Sequence, residues 1–159
     1  MLRFIVPAVS ALGVLFVVLL GTALPEVVAS HFGPSGRPDA FMPRPVFVAL
    51  MAALVGGVPL LVWWLQLRSI RAGRLHIPHA DFWRSPAQLA STDLWLHRHA
   101  AAMAVVTTVF LCSVYAMVVA ANRQPVVALG DASFWLALLA YMAFMGLWVL
   151  RLHRRFRRP

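Results

Sequence analysis

Histidine and carboxylate side chains lie close together at two places in the sequence, and either combination could bind a cation. The first consists of Glu26, His31 and Asp39. Imidazole and carboxylate groups are common ligands of divalent metals, and they can also pair with a peptide amine. The alternative is that His31 and Asp39 hydrogen-bond to each other and hold a turn together. The irregular spacing of the three residues favours this structural role over a metal site.

The second combination is His-x-x-His-x-Asp, formed by His76, His79 and Asp81. It is a weak metal pattern, because Pro78 interrupts the segment and the two histidines then do not share one face of a helix. No His-Glu-x-x-His motif and no glycine-rich phosphate-binding motif is present. We therefore predict no catalytic residues and no cofactor, and a metal-dependent membrane enzyme using these three residues is kept as an alternative.

The elements that must position these side chains are four apolar runs, at residues 4–24, 46–67, 100–121 and 132–150. None of the four runs contains Asp, Glu, Lys, Arg or His. Each is close to the roughly 20 residues that a helix needs to cross a bilayer. A backbone in lipid must satisfy its own hydrogen bonds, which these segments can do only as helices. The sequence thus predicts an all-α, polytopic membrane protein with four transmembrane helices.

The absence of Asp, Glu, Lys, Arg and His from these runs argues against ion-coupled transport. Coupled carriers commonly place an ionisable residue at membrane depth. Gly13 and Gly21 are expected to let a neighbouring helix approach closely. Polar side chains in the runs are expected to form hydrogen bonds between helices. They are Thr107, Thr108, Ser113, Tyr115 and Tyr141.

The arginines predict how the helices are oriented. If the first run starts inside, only Arg37, Arg44 and Arg123 of the 14 basic residues lie outside. The positive-inside rule then predicts cytoplasmic termini in a bacterial inner membrane. The basic tail, residues 151–159, is expected to lie near anionic lipid headgroups. The net charge of +9 is thus a membrane feature, and no nucleic-acid-binding module accompanies it. Cleavage of the first run as a signal peptide is an open alternative, although the run exceeds the usual core of about 7–15 residues.

Two connections between the runs have recognisable local structure. Gly33-Pro34-Ser35-Gly36 predicts a tight turn, followed by an extended segment that returns to the membrane. The long connection, residues 68–99, predicts a short helix from about Pro86, with Ser85 as N-cap and Gln88 completing a capping box. This helix is expected to run along the interface or to continue into the third span.

The connection between the first two runs resembles the signature of the SdpI-like family, also known as DUF1648. The matching residues are Leu24, Pro25, His31, Phe32, Gly36, Pro38 and Asp39. A second resemblance lies in the long connection, at Ile77, Pro78, Asp81, Phe82, Trp83 and Pro86. The chain departs from the family pattern at residues 41–44 and at His79, where many relatives have asparagine.

The resemblance implies an SdpI-like unit at residues 4–67, whose outward loop covers residues 25–45. A second helix pair, residues 100–150, follows the cytoplasmic connection. The family takes its name from an immunity protein that protects bacteria from a sporulation-delaying toxin, and some relatives look like sensors that hold a repressor at the membrane. This chain is shorter than that six-span type, so the resemblance supports the family and not the immunity role.

We therefore expect a non-catalytic binding or sensing protein. Its partner would be a peptide, a toxin or a membrane protein that contacts the outward loop through Glu26, His31, Phe32, Gly36, Pro38 and Asp39. Asp81 and Trp83 are expected to anchor the cytoplasmic connection at the interface. The alternative is an accessory subunit of a larger membrane complex.

Overall fold

Helices make up most of the chain, and one short β-hairpin interrupts them. The structure, a computed structural model, describes residues 2–73 and 77–158. Its elements are, in chain order, α1 (Leu2–Gly21), β1 (Val27–Phe32), β2 (Pro38–Pro43), α2 (Arg44–Arg71), α3 (Ala80–Trp83), α4 (Leu89–Asn122) and α5 (Asp131–Phe156). By length and composition, α1, α2, α4 and α5 can each cross a membrane. The predicted helical architecture is confirmed: the chain is a multi-pass membrane protein.

The helix ends differ from the apolar runs where polar residues continue a helix. α2 extends beyond its run at both ends, and α4 begins eleven residues before the third run. The helix predicted from about Pro86 therefore starts at Leu89 and continues into the third span. The predicted capping box does not form, because the Ser85 carbonyl accepts the N–H groups of Gln88 and Leu89, both at 2.9 Å. Gln88 takes the N-cap position, and its side chain forms no capping hydrogen bond.

α1, α2 and α4 pack together as a three-helix unit, and α5 packs mainly on α4. Glycines of α1 lie at the crossings. A Cβ atom on Gly13 would lie 2.8 Å from Val55, and one on Gly21 would lie 2.7 Å from Val48. These distances are shorter than real Cβ contacts, so the predicted close approach at both glycines is confirmed.

Three of the five polar side chains predicted to link helices do so. The Tyr115 hydroxyl donates to the Val17 carbonyl of α1 at 3.0 Å, and Thr107 and Tyr141 join α4 to α5 through a 3.0 Å bond between their hydroxyls. The prediction is wrong for Thr108 and Ser113. Their hydroxyls donate to carbonyls four residues earlier in the same helix.

The buried apolar residues form two clusters at opposite ends of the bundle. One lies beneath the hairpin and includes Val28, Phe47 and Tyr115. The other lies beneath the connection between α2 and α4 and includes Trp83 and Phe156. We call these the hairpin end and the connection end. The 28 residues of α2 separate them by about 42 Å of helix, so the two sequence motifs lie far apart.

Candidate functional site at the hairpin end

The first motif forms the β-hairpin. β1 and β2 pair antiparallel, with Ala29 opposite Phe41 and Phe32 opposite Pro38, and the register shifts on either side of His31. The Gly36 N–H donates to the Gly33 carbonyl at 2.9 Å, and Gly36 has φ 72°. That left-handed conformation favours glycine, because other residues bring Cβ too close to the backbone. The predicted turn over residues 33–36 is confirmed.

His31 and Asp39 pair across the hairpin. His31 Nδ1 lies 2.5 Å from Asp39 Oδ1, and both side chains are more than half exposed. Glu26 takes another role, since its backbone carbonyl accepts the Arg44 N–H at 2.8 Å. Among the described residues, no three His, Cys, Asp or Glu side chains are grouped in a way that could hold a metal ion. The geometry therefore matches the structural interpretation of His31 and Asp39, which bond to each other.

Asn122 at the end of α4 holds the hairpin against the helices. Its Oδ1 accepts the Ala29 N–H at 2.8 Å, and its Nδ2 donates to the Ala29 carbonyl at 3.0 Å. One amide thus satisfies both outward-facing backbone groups of a buried strand residue, as a neighbouring strand would. The Leu129 N–H adds a second link by donating to the Gly36 carbonyl at 3.0 Å. The hairpin is consequently held in place by hydrogen bonds to Asn122 and Leu129.

A groove of about 380 Å³ lies between the hairpin turn and the start of α5. Its hairpin side carries residues of the predicted signature, and its far side carries apolar residues from the second half of the chain. The lining includes His31, Phe32, Gly36 and Asp39 on one side, and Leu129, Phe134 and Trp135 on the other. Trp135 is 52% exposed, so its ring is accessible. The groove can accept an apolar group while the His31–Asp39 pair offers a polar contact at the same place.

The second motif packs at the connection end. Trp83 is buried there, in edge-to-face contact with Phe156 at 5.5 Å, and the Arg155 guanidinium lies 4.1 Å from its ring. Phe82 contacts Trp83 edge to face at 4.9 Å, and Ile77 packs on the same cluster. The other residues of this motif are exposed: Pro78, Asp81 and Pro86. Trp83 is thus the residue that anchors this connection, and Asp81 forms no ion pair within the described residues.

The two histidines of the second candidate metal site are His76 and His79. His76 lies outside the described residues. His79 has φ 55°, and its carbonyl accepts the N–H groups of Phe82 and Trp83, both at 3.1 Å. His79 therefore starts the α3 turn through its backbone.

The comparison with protein families agrees with the first motif. Residues 8–56 match the family described as Domain of unknown function (DUF1648). This segment is a DUF1648 domain. It comprises most of α1, the whole hairpin and the first part of α2, and it includes His31, Phe32, Gly36, Pro38 and Asp39. No curated protein and no solved structure matches the chain. The narrower SdpI-like assignment stays a prediction.

Sequence reasoning missed the residues outside the DUF1648 domain that complete the site. Asn122 is the first amide after a long apolar run. This position in the sequence could have indicated that its side chain bonds another element at the end of the helix. Phe134 and Trp135 follow the short connection that returns to the hairpin. The place of Trp135 beside the DUF1648 signature depends on contacts about 100 residues apart in sequence.

Proposed function

We propose that this chain is a non-catalytic binding protein, with a sensing or immunity-like role, that recognises an apolar segment of an envelope peptide or protein. The observation that carries the proposal is the composition of the groove. Four residues of the DUF1648 signature, His31, Phe32, Gly36 and Asp39, line it together with an aromatic pair from α5. A site that combines the domain signature with accessible aromatic rings is better explained by recognition than by packing.

The physical character of the surface supports an apolar partner. Aromatic side chains supply large contact areas and dominate many binding interfaces. The groove volume, about 380 Å³, falls in the range of known ligand sites. Further apolar side chains are exposed on the same end of the bundle, namely Val27, Phe41 and Val126. A partner with one or two apolar side chains would bury this surface.

The proposal includes an orientation in which the hairpin faces outward from a bacterial inner membrane and both termini are cytoplasmic. The distribution of arginines supports it, and the basic tail would then lie at the anionic cytoplasmic leaflet. Alkaline phosphatase inserted at Ser35 should be active, and green fluorescent protein fused to the C-terminus should fluoresce. Inactive phosphatase with a dark C-terminal fusion would reverse the orientation and remove the groove from the envelope.

A deletion strain tests recognition at the groove. We expect the deletion to increase sensitivity to membrane-active peptides and the wild-type gene to restore resistance. Phe32→Ala and Trp135→Ala should fail to restore it, because each removes an aromatic wall of the groove. The matched control is Leu139→Ala, which alters an exposed residue on α5 outside the groove lining. Full rescue by both groove variants at equal membrane levels, or a deletion strain as resistant as its parent, contradicts the proposal.

The second candidate function is an accessory subunit of a larger membrane complex, and the exposure of α5 favours it. None of residues 132–155 is buried. A helix with this much accessible apolar surface can pack on another protein as well as on lipid. A stoichiometric partner retained in mild detergent, and lost when Leu136 and Leu139 are both changed to Ala, would favour the subunit over the binding protein.

A further inference from the structure

A second cavity lies at the connection end, between the last turn of α2 and the first turn of α4. Its volume is about 260 Å³. Its polar lining residues are Arg71, Arg84, Thr92 and Asp93. This cavity is separate from the hairpin groove, and neither sequence motif predicted it. Two guanidinium groups and one carboxylate give the lining a net positive charge.

The two arginines have no carboxylate partner within the described residues, where the one ion pair within 4.0 Å is His31–Asp39. Asp93 lines the same cavity without reaching that distance from either guanidinium. The Arg84 guanidinium lies beside Gly73, where a Cβ atom would come within 2.9 Å of it. Gly73 has φ 64°, so its missing side chain and its left-handed backbone together leave room for Arg84. The cavity therefore holds positive charge that the described carboxylates do not neutralise.

Thr92 is the second, independent observation. It is 2% exposed, and its hydroxyl has no hydrogen-bond partner. Thr107 and Thr108 in the same helix donate to the carbonyl four residues earlier. For Thr92 that carbonyl belongs to Gln88, which already accepts the Thr92 N–H at 2.9 Å and the Ser91 hydroxyl at 2.8 Å. A buried hydroxyl without a partner costs free energy, and a ligand oxygen would remove that cost.

We propose that this cavity binds a phosphate group, held by Arg71 and Arg84 and hydrogen-bonded by the Thr92 hydroxyl. Guanidinium groups present paired N–H donors that match phosphate oxygens, and charge-assisted bonds of this kind are strong. The start of α4 adds the positive end of a helix dipole. Two arginines opposed by Asp93 leave a balance of one positive charge, which suits a phosphodiester. A lipid headgroup and free phosphate share this chemistry.

Thermal unfolding of the purified full chain in dodecyl maltoside, followed by tryptophan fluorescence, separates the two sources. One arm adds inorganic phosphate, with sodium chloride at equal ionic strength as its control. The other adds phosphatidylglycerol to the micelles, with a galactosyl diacylglycerol lacking phosphate as its control. A rise in Tm in the lipid arm alone assigns the site to a headgroup, a rise with inorganic phosphate alone assigns it to free phosphate, and a rise in both shows that the site accepts either; each of these results supports the proposal. No rise in either arm overturns it.

Variants place the effect in the cavity. Arg71→Gln and Arg84→Gln should raise the half-saturating concentration of the active probe about tenfold or more, because each loses a charge-assisted contact. Asp93→Asn should lower it, because a repelling carboxylate disappears. Arg98→Gln is the matched control, since Arg98 is exposed on α4 outside the lining and should leave the shift unchanged. If Arg98→Gln and Arg84→Gln raise the half-saturating concentration equally, the probe is attracted to the basic surface in general, and the proposed site is overturned.

Thr92→Val distinguishes binding from folding. Removing a hydroxyl that has no partner should leave the Tm without probe unchanged or higher, because the methyl group keeps the shape. The shift caused by the probe should nevertheless become smaller, because the ligand loses a donor. A Thr92→Val protein with a lower Tm and an undiminished shift would assign the hydroxyl to folding and contradict the proposal.

Discussion

At the scale of single residues, Asn122 is the side chain on which the hairpin depends most. Its amide bonds both backbone groups of Ala29, and its Nδ2 also donates to the Val118 carbonyl at 2.9 Å. Asn122 and Ala29 are both buried. Since little water reaches this position, the backbone groups of Ala29 have no ready replacement partner. Both outward-facing backbone groups of Ala29 are thus bonded by one residue 93 positions away in the chain.

Asn122→Leu should lower the free energy of unfolding by about 2–4 kcal/mol, because it leaves a buried donor and a buried acceptor without partners. Titration with sodium dodecyl sulfate, followed by tryptophan fluorescence, measures this change. Ser113→Ala is the control, since the Ser113 hydroxyl donates to a carbonyl of its own helix and its loss should cost little. Equal effects of the two substitutions would show that the amide does not hold the hairpin.

At the scale of elements, the crossing of α1 and α2 positions the two ends of the hairpin. Gly56 lies at this crossing, where a Cβ atom would approach Val14 to 2.5 Å. Its neighbour Gly57 has no heavy atom within 4 Å of the same position. Two adjacent glycines thus differ completely in their surroundings. Gly56 is needed for the contact between α1 and α2, whereas Gly57 weakens the helix and has no packing role.

Gly56→Ala should destabilise the protein by about 1–3 kcal/mol, because the new methyl group forces α1 and α2 apart. Gly57→Ala should instead stabilise it by about 0.5–1 kcal/mol, because alanine favours helix and meets no neighbour. The midpoints of detergent-induced unfolding of the two variants should therefore move in opposite directions. Destabilisation of similar size by both would contradict the crossing geometry.

The spans could be predicted from the sequence because lipid imposes strict demands on length and charge. The turn at Gly36 could be predicted because its conformation is set by neighbouring residues. A helix from about Pro86 into the third span could also be predicted, and α4 begins three residues later, at Leu89. The groove could not be predicted. Trp135 lines the same groove as His31 only because the end of α4 and the start of α5 lie beside the hairpin.

At the scale of the whole molecule, α5 is attached to the bundle along one side and at its C-terminal end. Along the side, the His99 ring of α4 stacks between Trp95 and Trp148, with centroids 4.5 and 4.3 Å away. The Trp148 Nε1 also donates to the His99 carbonyl at 2.9 Å. At the C-terminal end, Phe156 is 1% exposed and packs on Trp83. These contacts connect the helix that carries Trp135 to the opposite end of the protein.

Trp83→Ala should therefore release the end of α5. The loss of a buried indole costs about 3–5 kcal/mol, and Phe156 and Arg155 each lose a contact with its ring. Trp83→Phe should cost much less, because Trp83 Nε1 has no hydrogen-bond partner and phenylalanine keeps most of the packing. Trp64→Ala is the matched control, since Trp64 is 47% exposed and contacts the Arg68 guanidinium at 4.9 Å. It should cost less than about 1 kcal/mol.

Limited trypsin digestion in detergent measures how accessible the end of α5 is, because residues 151–158 contain five arginines at which trypsin can cleave. Trp83→Ala should be cleaved there faster than wild type, while Trp83→Phe and Trp64→Ala should not. The unfolding midpoint of Trp83→Ala should fall in the same preparation. If the midpoint falls while tail cleavage is unchanged, Trp83 stabilises the connection between α2 and α4 alone. In that case α5 is held by the side contacts at His99 and Tyr141, and the connection end has no mechanical link to the groove.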